Sequence, residues 1–144
     1  MRLTTFTDYS LRVLIYLGLQ RERLATIAEI ADAYGISKNH LMKVVHHLGQ
    51  QGYVDTLRGK SGGIRLARPP AEINLGMLVR ATEANTELVE CFAPEPSDCR
   101  IEPVCALRGI LERSLKAFYA VLDDYTLADV LRNGDRLALL LKKG

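Results

Sequence analysis

Apolar residues return at helical spacing early in the chain. Leu11, Leu14, Ile15 and Leu19 mark one face, which predicts a helix from Asp8 to Leu19, started by Thr7 or Asp8. Thr26-Ile27-Ala28-Glu29 places a hydroxyl three residues ahead of a carboxylate, the pattern of a capping box. The short helix it opens ends at Tyr34-Gly35. A third helix follows from Ser37, its N-cap, with Leu41, Val44, Val45 and Leu48 as the buried face and Gly52 as the stop. The period then changes. Residues 53–58 and 64–68 suit strands, and Gly59-Lys60-Ser61-Gly62-Gly63 between them suits a tight turn. Pro69-Pro70 ends this hairpin, and residues 73–82 suit another helix.

Residues 91–105 lose periodicity, hold all three cysteines and carry Pro94, Pro96 and Pro103, so a loop is expected there. The longest helix comes next, from Val104 to about Tyr125. Val104, Leu107, Leu111, Phe118, Val121 and Tyr125 fall on a three-and-four spacing, with Leu115 and Leu122 beside them. That face is wider than one small domain would cover, which favours pairing with a second copy. Thr126-Leu127-Ala128-Asp129 predicts a further cap and a short final helix. The fold class expected is mainly α with a small β-hairpin wing: a winged helix-turn-helix domain, a cysteine loop and a long dimerisation helix. The expected boundaries are 1–72 for a DNA-binding winged helix-turn-helix domain, 73–90 for a connecting helix and 91–105 for the cysteine loop. Residues 104–126 then form the dimerisation helix and 127–144 a C-terminal helix and tail.

A length of 144 residues with 48% hydrophobic and 25% charged residues fits one globular domain and excludes disorder as the main state. No apolar run is long enough for a membrane span, and the first residues lack the apolar core of a signal peptide, so a cytoplasmic location is expected. The net charge of +2 is unevenly spread. Residues 1–70 hold ten Lys and Arg against five Asp and Glu, whereas residues 71–144 hold nine against twelve. The basic half suggests a polyanionic partner.

A helix pair followed by a basic hairpin suits DNA. The second helix of such a pair enters the major groove with its N-terminal residues toward base edges. Those residues are Ser37, Lys38, Asn39 and His40, with Lys43 one turn on. Asn can bind adenine bidentately, and Lys can bind guanine or phosphate. Arg58, Lys60 and Arg65 surround the wing turn, and Arg there can enter a narrow minor groove. A protein-binding winged helix remains a second reading. His46 and His47 read as surface or phosphate contacts rather than metal ligands. No paired acid–base constellation and no phosphate-binding glycine loop points to catalysis, so no catalytic residue is expected.

The cysteines stand as Cys91-x7-Cys99-x5-Cys105. Zinc sites normally show ligand pairs two to four residues apart, and this chain has none. An iron–sulfur cluster suits wider gaps on a long loop. With three thiolates, one iron takes a different ligand or stays open to a small molecule. A thiol redox switch, a structural metal and inert cysteines are the other readings. The acidic neighbours Glu90, Glu95, Asp98 and Glu102 disfavour a bare reactive thiolate.

Met1-Arg2-Leu3-Thr4 through Asp8-Tyr9, the run Arg58-Gly59-Lys60-Ser61-Gly62-Gly63-Ile64-Arg65-Leu66, the three cysteines and Tyr125-Thr126-Leu127-Ala128-Asp129 together resemble the iron–sulfur winged-helix regulators of the Rrf type. The resemblance covers essentially the whole chain. Phe6-Thr7-Asp8-Tyr9 is similar to the nitric-oxide-sensing repressors of that family. The resemblance implies a 4Fe-4S cluster held by Cys91, Cys99 and Cys105 and by Asp8 of the partner subunit. On position alone Asp8 is a first-turn acid favoured by the helix dipole, worth about 0.3–1 kcal/mol, and the two roles are compatible. A 2Fe-2S cluster fits less well, because the family members that hold one use a His shortly after the third cysteine. Here Arg108 stands three residues after Cys105, and no His follows it. The implied activity is that of a homodimeric repressor on a palindromic operator, released by nitric oxide to derepress nitric-oxide detoxification genes. An iron-responsive regulator of the same family, matched at Glu90-Cys91-Phe92, and a thiol- or zinc-based redox regulator are the alternatives.

Overall fold

A computed structural model of the chain describes residues 1–142; residues 143–144, the end of the expected C-terminal tail, lie outside the described residues. The first helix, α1 (Thr5–Leu19), begins three residues before the expected start. Thr4 is the cap, its hydroxyl accepting from the Thr7 N–H at 3.2 Å. Thr7, the expected cap, is fully buried and donates instead to Glu83 Oε1 at 2.6 Å.

The next helix, α2 (Ile27–Tyr34), carries the full reciprocal capping box of Thr26 and Glu29. It stops at Gly35, whose φ of +65° is the left-handed conformation that glycine adopts without strain. The chain turns there into α3 (Lys38–Gln50), capped by Ser37. The hairpin is shorter than expected, β1 (Val54–Leu57) with β2 (Gly63–Leu66), antiparallel with Val54 opposite Leu66 and Leu57 opposite Gly63. It is anchored by Ala25, which exchanges two backbone hydrogen bonds with Ile64 at 2.9 and 2.7 Å.

Val13, Leu14, Leu17, Ile30, Leu41, Val44, Leu48 and Ile64 form the centre of one core. Ile73, Leu78 and Leu127 join it from the second half of the chain. The connecting helix α4 (Leu75–Thr82) starts at its Asn74 cap. Leu127 is 1% exposed, held where the Leu127 N–H donates to Ile73 O at 2.9 Å and the Leu75 N–H to Tyr125 O at 3.0 Å. Two short helices follow, α6 (Leu127–Val130) and α7 (Gly134–Leu141), separated by a 3-10 turn. Val130, Leu131 and Leu141 pack on the core, and this segment lies against α1.

The long helix α5 (Ala106–Asp123) starts after a 3-10 turn at Glu102–Val104 that contains Pro103. It docks on α4 through Arg80, which pairs with Asp123 (Nη2–Oδ2 2.8 Å) and lies 4.6 Å from the centre of the Tyr119 ring. Gly76 permits this approach, because a Cβ there would run into the Asp123 carboxylate. No residue of α5 is buried. Leu107, Ile110 and Val121, with Val104 and Tyr125 at its ends, lie 47–88% exposed along one face. No helix among the described residues is long and apolar enough to cross a membrane.

Candidate functional site

Two basic elements project from the head. On α3, Leu41, Val44, Val45 and Leu48 point into the core and leave Lys38, Asn39, Lys43 and His46 exposed on the opposite face, with Ser37 exposed at its cap. At the wing, Arg58 and Lys60 are exposed at the turn, closed by the Gly62 N–H donating to Gly59 O at 3.0 Å. Arg65 sits back on β2, opposite Asp55 with an N···O distance of 3.8 Å.

Two histidines take roles that spacing did not foresee. His40, expected at the base edges, is half-buried with its ring 4.7 Å from Tyr9 of α1. His47, expected at the surface, packs 5.2 Å from Phe6, and its Nε2 is buried without a hydrogen-bond partner. Together with the Tyr34 hydroxyl donating to Arg12 O at 3.0 Å, these contacts bind the reading head to α1. Burial pushes the Tyr34 phenol up to about 12.

Asp8 lies on the first turn of α1 and pairs with Arg12 one turn on, at 3.0 Å, both side chains partly exposed. The start of α1 is fixed by Glu83, the one buried charged side chain among the described residues. Its Oε1 accepts from the Thr4 N–H at 2.7 Å, the Thr4 hydroxyl at 3.0 Å and the Thr7 hydroxyl at 2.6 Å. Sequence reasoning missed this link, which joins residues 76 to 79 positions apart and carries no local signal.

The cysteine loop meets the start of α5. Cys91 and Cys105 are half-buried and Cys99 is exposed, all as free thiols. They line one cavity of about 190 Å³, walled by Val89, Ile101, Leu107 and Leu111. Glu90 shapes the loop by accepting from the Asp98 N–H at 2.6 Å and the Ser97 hydroxyl at 3.3 Å. Arg108 donates to Cys91 O at 3.2 Å and faces the Phe92 ring. No three His, Cys, Asp or Glu side chains among the described residues gather closely enough to hold a metal ion. The cysteines share a hollow instead, an arrangement that fits a polynuclear group with several iron corners better than a single ion. Asp8 does not line this cavity in the same chain.

A helix-turn-helix with an exposed cationic second helix and a basic wing defines a winged-helix DNA-binding protein. The Rrf2 family, described as an iron-dependent transcriptional regulator, matches residues 3–133, and the chain belongs to that family. It is 51% identical over 143 residues to the HTH-type transcriptional regulator NsrR of Halalkalibacterium halodurans, covering 99% of this chain and 98% of that protein. It is 52% identical over 143 residues, with the same coverage, to the regulator of the same name from Bacillus subtilis. Among solved structures it is similar to CymR, the global cysteine regulator of B. subtilis, with a TM-score of 0.71 and 28% identity over 90% of this chain and 95% of that one. These relatives are regulators of transcription, and this chain is a regulator rather than an enzyme.

Proposed function

We propose that this chain is a cytoplasmic, homodimeric repressor whose 4Fe-4S cluster makes operator binding sensitive to nitric oxide. Cys91, Cys99 and Cys105 and Asp8 of the partner subunit hold the cluster. The observation that carries the reading is the delivery of three free thiols, from a loop of wide spacing, to one partly apolar cavity at the start of α5. When bound there, the cluster supplies iron open to attack by nitric oxide.

The rest falls to the protein's own residues. The uncovered face of α5 pairs with its twin about a two-fold axis, and the two α3 helices meet successive major grooves about 34 Å apart on a palindromic operator. Lys38, Asn39 and Lys43, with the Ser37 cap, face the groove, and Arg58 and Lys60 reach the flanking minor groove. His40 ties α3 to α1 through Tyr9, and Phe6 does the same through His47. When Asp8 is drawn to the partner subunit's loop, α1 and the reading head packed on it are held at operator spacing. When Asp8 is released, Arg12 one turn away is its ready partner, and the head loses its tether. Nitric-oxide detoxification genes are then derepressed.

The test is a titration of anaerobically reconstituted protein with nitric oxide, read by retardation of operator DNA and by visible absorbance. Loss of the retarded band in step with loss of iron–sulfur absorbance is expected. A colourless preparation that holds zinc rejects the cluster. Release on iron chelation with no response to nitric oxide assigns the protein to iron status instead.

A further inference from the structure

On the exposed face of α3, between Lys38, Asn39, Lys43 and His46, stands one apolar side chain. Met42 is 50% exposed. A single exposed methionine on an ordinary surface needs no explanation. This one interrupts the cationic stripe that faces DNA, and it does not stand alone. It flanks an open groove of about 410 Å³ between α3, the start of α2 and the wing strand, lined by Ile27, Val45, Thr56, Lys43 and His46. The core side of α3 is already filled by Leu41, Val44, Val45 and Leu48, so Met42 contributes nothing to it.

We propose that Met42 is a specificity-determining residue that reads the C5-methyl group of a thymine in the major groove. This rests on the DNA-binding reading above. The major-groove edge of an A·T pair is the one that presents a methyl group, and apolar side chains recognise it by contact. Methionine suits the task because its unbranched, polarisable thioether adapts to a small apolar target. Lys38 and Lys43 on either side hold the backbone and the neighbouring bases, so the methyl contact discriminates sequence while the cations supply affinity.

The experiment uses the full-length, anaerobically reconstituted protein. A random duplex library is enriched on the wild type, and each thymine of the enriched half-site is replaced in turn by uracil, which removes only the methyl. One thymine per half-site is expected at which uracil weakens binding about fourfold, the value of burying one methyl-sized group. Met42→Ala and Met42→Gln should bind the two duplexes alike, with an unchanged salt slope, and Met42→Leu should retain the preference. If Met42→Ala keeps the full thymine preference, or if the wild type ignores uracil at every position, the assignment to Met42 is wrong and DNA binding stands. A library from which the wild type enriches nothing overturns both.

Discussion

The exposed face of α5 carries the most demanding prediction. Val104, Leu107, Ile110, Val121 and Tyr125 are 47–88% exposed in one chain. Burying such a side chain completely is worth about 1.5–3 kcal/mol, and for a side chain such as Val121, 60% exposed in one chain, the remaining gain is about 1 kcal/mol. A two-fold interface uses every residue twice, so a change at one position is felt twice per dimer. Val121 is 60% exposed and lies away from the cysteine loop. Val121→Ala should therefore cost about 2 kcal/mol per dimer, a dissociation constant about thirtyfold weaker. Val121→Asp places two carboxylates in the interface and should leave monomer at micromolar concentration. Lys116→Ala, on the opposite face of the helix, should change neither. Sedimentation equilibrium reads all three, with thermal melting as the control for folding, since Val121 is not buried within its own chain. A wild-type dimer constant retained by Val121→Asp would refute the use of this face, and a wild type that stays monomeric at tens of micromolar would refute the dimer itself.

Three further outcomes are open to direct measurement. Asp8→Ala should change the nitric-oxide dose that releases operator while shifting stability by only about 0.5 kcal/mol, as expected for an exposed pair; a shift in melting temperature with an unaltered dose response would leave Asp8 as a helix-start acid alone. Arg58→Ala and Lys60→Ala should each weaken binding on all sequences and lower the salt slope by about one, and unchanged affinity would remove the wing from the interface. The Arg23 guanidinium, with the Thr26 N–H, holds the Glu29 carboxyl below its ordinary value of 4.5. A carboxyl lowered on folding contributes stability that is present above that value and lost as pH falls through the folded-state value. The stability gap between wild type and Glu29→Gln should accordingly close on acidification below pH 4.5, and denaturant melts showing a constant gap from neutral to pH 3 would contradict this.

What the sequence made legible was local. The Thr26–Glu29 box, the Gly35 turn and the Ser37 cap each satisfy backbone groups within four residues, so their chemistry is visible in a short window. The start of α1 was not, because Thr4 and Thr7 both qualify as caps and the choice is made by Glu83, 79 and 76 positions away. His40 and His47 looked free for the same reason: their ring partners Tyr9 and Phe6 come from another helix. In α5, apolar spacing indicated a face too wide for one domain, and no residue of that helix is buried in its own chain. The grouping of the three thiols around one cavity followed from the loop, but the hold of Arg108 on Cys91 O did not. A side chain reaching a carbonyl 17 positions back leaves no periodic trace.

The energetics of the proposed switch follow from how weakly Asp8 is held in its own chain. Its partner Arg12 lies one turn along α1, and both side chains are partly exposed. A pair of that kind is worth about 0.3–0.5 kcal/mol. A hundredfold change in operator affinity requires about 2.7 kcal/mol. The Asp8–Arg12 pair is too small to set that change and too small to oppose it, so the proposed switch requires that the free energy come from the contact proposed for Asp8 in the partner subunit. Transmission to DNA then needs stiffness between residue 8 and α3. Tyr9 against His40 and Phe6 against His47 supply it, because these ring contacts flank Asp8 on both sides in sequence and seat α1 directly on the recognition helix. Glu83 pins this same end of α1 by accepting from the Thr4 amide and from the Thr4 and Thr7 hydroxyls. In the proposed switch a displacement at Asp8 would thereby pass to the reading head as movement of a packed unit, rather than being absorbed by fraying of the first turn.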